Sequence, residues 1–144
     1  MEKIVKKTNK LNPEIIFITG DMVDGSVRLD TTTFNVINKL KAPIFFINGN
    51  HEIYEGLDEI FRILKKTNMK ILRDELYEYN GIQIIGIEYS YKSNHMKKVI
   101  SQLKINSEIP LILLYHLPHG LNSCKCKYRI TTFRPYTCRA NIPI

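Results

Sequence analysis

Three short apolar runs, each closed by polar residues, constrain this chain more than anything else in it. Ile15-Ile16-Phe17-Ile18 leads into Gly20-Asp21, Ile44-Phe45-Phe46-Ile47 into Gly49-Asn50-His51-Glu52, and Leu111-Ile112-Leu113-Leu114 into Tyr115-His116. Four consecutive apolar residues without polar alternation suit strands buried on both faces, as in parallel sheets covered by helices. Such sheets build their sites at the carboxyl ends of the strands. The pattern therefore sends an aspartate, an asparagine and a histidine toward one rim.

Between these runs the spacing turns helical. Ile4, Val5, Thr8 and Leu11 share one face of a helix over residues 2–11, which Pro13 ends. Asp30 and the threonines after it offer an N-cap to a helix carrying Phe34, Ile37 and Leu40. Leu57, Ile60, Phe61 and Leu64 recur at amphipathic spacing, as do Met96, Val99, Ile100 and Leu103 before Pro110. Ile15–Thr19 reads as a buried parallel strand and Met69–Leu72 as a short one. Leu76–Tyr79 and Ile82–Ile87, joined by Asn80-Gly81, read as a hairpin with a two-residue turn. Alternating strands and helices with right-handed crossovers give an α/β fold with a mixed sheet.

At 144 residues and 44% hydrophobic content, the chain holds material for about one domain. No run nears the roughly 20 apolar residues of a membrane helix, and the charged start, Met1 to Lys10, lacks the apolar stretch of a secretory signal. A soluble, cytoplasmic chain with no membrane segment is expected; its oligomeric state is not legible. The net charge of +7 suggests a nucleic-acid-binding module only until it is located. Before Leu121 stand 16 of the 21 basic residues and all 14 acidic ones, a balance of +2. Lys125, Lys127, Arg129, Arg134 and Arg139 crowd the last 24 positions, together with Cys124, Cys126 and Cys138.

Phosphate-ester hydrolysis has one of the highest uncatalysed barriers known, and two metal ions about 3.5–4 Å apart are one way over it. So close a pair needs a bridging carboxylate, a role that suits Asp21. Imidazole and amide donors favour Mn, Fe or Zn over an all-oxygen calcium site. Gly20 and Gly49 let the backbone turn at strand ends where a Cβ would crowd metal or substrate. Taken singly, Asp21 and Asp24 suit an ordinary turn, and His116 a strand-end histidine. Their order and neighbours set them apart. Gly20-Asp21-Met22-Val23-Asp24-Gly25, then Gly49-Asn50-His51-Glu52, then His116, resemble the calcineurin-like metallophosphoesterases, and the stretch from Asn50 to Glu88 runs like their small bacterial and archaeal members.

That resemblance implies a two-sheet sandwich flanked by helices, of which this chain holds a central portion. It implies hydrolysis of a phosphomonoester or phosphodiester, with two divalent ions in the intact family site. Asp21 is then the bridging ligand, and Asn50 and His116 ligate the second metal. His51 is the general acid for the leaving oxygen, and Asp24 the carboxylate that orients it. Glu52 receives no chemical role, and His95 and His119 read as surface residues.

Two further blocks of the family pattern, Asp-x-His before Gly20 and Gly-His-x-His after His116, do not occur in the sequence. The expectation is a partial phosphoesterase domain over residues 1–120, impaired or inactive alone; the alternative is a non-catalytic remnant that binds at most one divalent metal. Residues 121–144 read as an aberrant tail. Thr131 to Arg139 admit codons that, read one base later, spell Gln-Leu-Ser-Gly-His-Thr-His-Ala, which contains the absent block. An out-of-frame origin is therefore expected. The rival takes Cys124, Cys126 and Cys138 as thiolate ligands, although structural zinc normally has four ligands and Cys-x₂₋₄-Cys spacing.

Overall fold

Alternate residues of β2 (Ile44–Ile47) serve two different cores. Ile44 and Phe46 pack with Ile60, Phe61, Ile63 and Leu64, whereas Phe45 and Ile47 pack with Leu72, Ile84 and Leu114. Successive side chains of a strand point to opposite faces, so a strand covered on both must be apolar throughout. The computed structural model describes residues 1–24, 30, 32–117 and the backbone of 129–131. His119, the cysteines and most of the shifted-frame segment lie outside these.

β2 is the middle of a parallel three-stranded sheet, between β1 (Ile16–Thr19) and β3 (Met69–Ile71). A second sheet runs in the order β4 (Glu75–Tyr79), β5 (Ile82–Ile87), β6 (Leu111–Tyr115) and β7 (Arg129–Thr131). It is antiparallel between β4 and β5 and parallel beyond. Helix α3 (Leu57–Leu64) and the 3₁₀ helix Asn35–Lys39 cover the outer face of the first sheet. Met96 and Val99 of α4 (His95–Gln102) cover the outer face of the second, against Ile85, Ile87, Leu111 and Leu113. The fold is the expected α/β sandwich of two sheets flanked by helices.

Phe45 anchors the seam between the sheets, its ring 6.0 Å from Phe17, 5.7 Å from Tyr77 and 5.5 Å from Tyr79. The β4–β5 hairpin turns at Asn80 and Gly81 with φ of 46° and 76°, the positive pair that a type I′ turn requires.

Several local expectations need correction. β1 is only half-buried up to its last residue, because among the described residues it pairs with β2 alone. In α1 (Glu2–Lys10) only Val5 is buried, while Ile4 and Leu11 are 67% and 81% exposed. Polar contacts seat this helix instead: Asn9 Nδ2 donates to the Lys39 carbonyl at 2.8 Å, and Asn9 Oδ1 accepts the Lys41 N–H at 3.1 Å. The element carrying Ile37 is a 3₁₀ helix without a side-chain cap. Asp30 spends its carboxylate on Thr32 N–H and on the Thr32 and Thr33 hydroxyls, a local turn upstream of the helix. His95 is no free surface residue. Its Nε2 lies 2.9 Å from Asp74 Oδ2 with both side chains largely covered, and Asp74 Oδ1 accepts the Glu88 N–H at 2.9 Å. That pair fastens the start of α4 to the corner between β3 and β4.

Candidate metal centre

The rim of the sandwich gathers the ends of β1, β2 and β6. After β1 the chain passes through two successive left-handed residues, Gly20 at φ 91° and Asp21 at φ 56°. A non-glycine residue there is uncommon, and aspartate is among the few that tolerate it. After β2, Gly49 opens the short helix α2 (Asn50–Tyr54), so Asn50 and His51 stand in its first turn. After β6 comes His116, buried.

A Cβ on Gly20 would lie 2.6 Å from Gly49 Cα, so the two loops touch backbone to backbone. Gly49 itself has φ −103°, open to any residue. What forbids a side chain there is space: its Cβ would collide with Asp21 Oδ1 and lie 2.7 Å from His116 Cε1. Glycine at 49 thus makes room for the polar side chains.

Those side chains converge. His116 Nδ1 lies 2.6 Å from the Thr19 carbonyl oxygen, 3.2 Å separate His116 Nε2 from Asn50 Oδ1, and 3.5 Å separate it from Asp21 Oδ2. A carbonyl only accepts, so Nδ1 carries the hydrogen and donates it. In the neutral ring Nε2 then presents a lone pair to two further lone-pair atoms. Three electron-rich atoms so close repel one another unless a proton or a cation sits among them. The set of one imidazole, one carboxylate and one amide oxygen fits a first-row divalent ion, and a ligating histidine tied through its other nitrogen to a backbone carbonyl is the usual supporting arrangement. Among the described residues no cluster of three or more His, Cys, Asp or Glu occurs, so Asn50 is needed to complete even a three-donor set.

Glu52, which carries no chemical role in the motif, shapes this site. Fully buried, it accepts the N–H groups of Met22 through Oε1 at 2.7 Å, and of Asp21 and Gly49 through Oε2 at 2.9 and 2.7 Å. One carboxylate therefore clamps the loops after β1 and β2 together. The detectable signal was its spacing: a glutamate at the third helical position reaches back to the N–H that opens the helix, as in a capping box. The His51 N–H donates to Asp21 Oδ1 at 3.2 Å. Asp24 is exposed, next to buried Val23. Asn48 was also missed. It is buried, and its Oδ1 has no hydrogen-bond partner among the described residues.

Tyrosines border the centre. The Tyr89 ring meets the His116 ring nearly perpendicular at 5.7 Å, and Tyr54 stands 5.9 Å from His51. Burial pushes the Tyr89 hydroxyl above its ordinary range. The Tyr91 hydroxyl is pushed up to about 12, chiefly by its hydrogen bond with Tyr54.

The family model for calcineurin-like phosphoesterase matches residues 1–141. The chain belongs to the calcineurin-like phosphoesterases. It is similar to an uncharacterized metallophosphoesterase of Helicobacter pylori (strain ATCC 700392 / 26695), 32% identical over 132 residues that cover 87% of this chain and 35% of that protein. A Danio rerio transmembrane protein with metallophosphoesterase domain is 28% identical over 137 residues, 83% of this chain and 31% of its own length. This calcineurin-like chain spans about a third of the length of the curated relatives it matches. Among its described residues no helix is long and apolar enough to cross a membrane.

Proposed function

We propose that the chain contributes to hydrolysis of a phosphomonoester or phosphodiester, with Asp21, Asn50 and His116 holding a divalent ion such as Mn, Fe or Zn. The family's activity is metal-dependent phosphoester hydrolysis in general; the residue roles are the finer part of this reading. The observation that carries it is the approach of His116 Nε2 to Asn50 Oδ1 and Asp21 Oδ2, at 3.2 and 3.5 Å, with Nδ1 committed to the Thr19 carbonyl. Divalent ions supply Lewis acidity and activate water in such reactions. The chain's own part is to orient the ester beside them and to deliver a proton. His51 gives that proton to the leaving oxygen, its backbone held against Asp21 by the 3.2 Å hydrogen bond. Asp24 turns the His51 ring and fixes its tautomer.

A second reading, a module that binds one ion without turnover, is favoured by the size of the donor set, since among the described residues no third His, Cys, Asp or Glu joins Asp21 and His116. One experiment separates the two. The 144-residue chain is titrated with Mn²⁺ by calorimetry and assayed on bis(p-nitrophenyl) phosphate. The expected result is one weak Mn²⁺ site, lost in His116→Ala, and slow hydrolysis abolished by His51→Ala. Binding without any His51-dependent turnover supports the second reading, and absence of Mn²⁺ binding removes both.

A further inference from the structure

Tyr54, Tyr89 and Tyr91 stand about the centre, Tyr54 beside His51 and Tyr89 beside His116. Tyr54 closes α2 one turn after His51, with 5.9 Å between the rings. Tyr89 sits edge-on to His116 at 5.7 Å and to Tyr91 at 5.2 Å. Tyr91 in turn interacts with Tyr54 through its side chain. The outer two rings are held by these contacts, yet Tyr54 is 64% and Tyr91 67% exposed. Large aromatic side chains fixed in place beside a polar site, with open faces, are what ligand sites use to bind flat apolar groups.

We propose that Tyr54 and Tyr91 form a shelf that stacks a planar aromatic ring carried by the leaving group of the phosphoester. The inference rests on the assignment of His51 as the acid. The leaving oxygen takes its proton from His51, so the organic group attached to that oxygen lies on the side of the site that Tyr54 occupies. Neither tyrosine carries a charge to attract a second phosphate, and both offer a π face. The shared chemistry is the flat ring, whether an aryl group bonded to the ester oxygen or a base carried through a sugar.

Two matched pairs of ligands test it by calorimetry on the Mn²⁺-loaded chain. Phenyl phosphate and cyclohexyl phosphate share charge and approximate bulk and differ in flatness. Adenosine 5′-monophosphate and ribose 5-phosphate differ by the base. The flat member of at least one pair is expected to bind about tenfold tighter. That ratio falls toward one in Tyr54→Leu and in Tyr91→Leu, and survives in Tyr54→Phe, which keeps the ring. The pair with the larger ratio identifies the source of the ring. Equal binding within both pairs, or ratios unchanged in the leucine variants, overturns the shelf while leaving the phosphoesterase assignment intact, because the phosphate itself still binds. Failure of all four esters to bind overturns both.

Discussion

The His116 imidazole donates to the Thr19 carbonyl at 2.6 Å across 97 residues of chain. Thr19 ends β1 in one sheet and His116 follows β6 in the other, so this single bond links the two layers of the sandwich. It also decides which nitrogen of the ring faces Asp21 and Asn50. A fold contact and the tautomer of the proposed ligand are set by the same atom pair.

Glu52→Gln is expected to lower the unfolding free energy by about 1–3 kcal/mol, the cost of leaving a buried polar group unsatisfied. The amide has one oxygen where the carboxylate uses two, and its NH₂ faces the N–H groups that Glu52 now accepts. Urea unfolding with an unchanged slope checks this. A variant as stable as the parent would show that the clamp contributes nothing.

Gly49→Ala isolates crowding from backbone strain. At φ −103° alanine costs little conformationally, but its methyl strikes Asp21 Oδ1 and lies 2.7 Å from His116 Cε1. Mn²⁺ affinity is expected to drop at least about tenfold, as for loss of a supporting partner of a metal ligand, with circular dichroism of the parent retained. Unaltered affinity would place the bound ion elsewhere.

Tyr91 should ionise near 12, and replacing its partner by Tyr54→Phe should return it toward the ordinary 10.0. The raised value means that the hydrogen bond stabilises the protonated, folded form. Its contribution is complete below pH 10.0 and disappears as pH rises toward 12. Tyrosinate absorbance during an alkaline titration reads it: the parent is expected to show one late-titrating tyrosine more than the variant, beside Tyr89 and Tyr115, whose hydroxyls burial also pushes up.

The strands were legible because they obey simple periods, whereas their division into two sheets came from the family resemblance. The Ile44–Ile47 run had to be buried on both faces, and Asn80-Gly81 had to turn with positive φ. The places of Asp21, Asn50 and His116 at strand ends followed from where the apolar runs stop. What stayed hidden depends on contacts distant in sequence. Glu52 looks like an ordinary surface helix residue until the loop after β1, 30 and 31 residues upstream, delivers two N–H groups to it. His95 finds Asp74 across 21 residues. Ile4 and Leu11 lie on the correct face of a helix that is seated instead by Asn9. Periodicity names a face and does not say whether anything arrives to cover it.

Because Asp21 and Asn50 hang from one layer and His116 from the other, the candidate centre straddles a mechanical joint. A cation gripped there would act as a rivet, so that loading the ion and keeping the halves registered become one thermodynamic event. Chelation would loosen the whole joint, far beyond the three side chains that touch the ion.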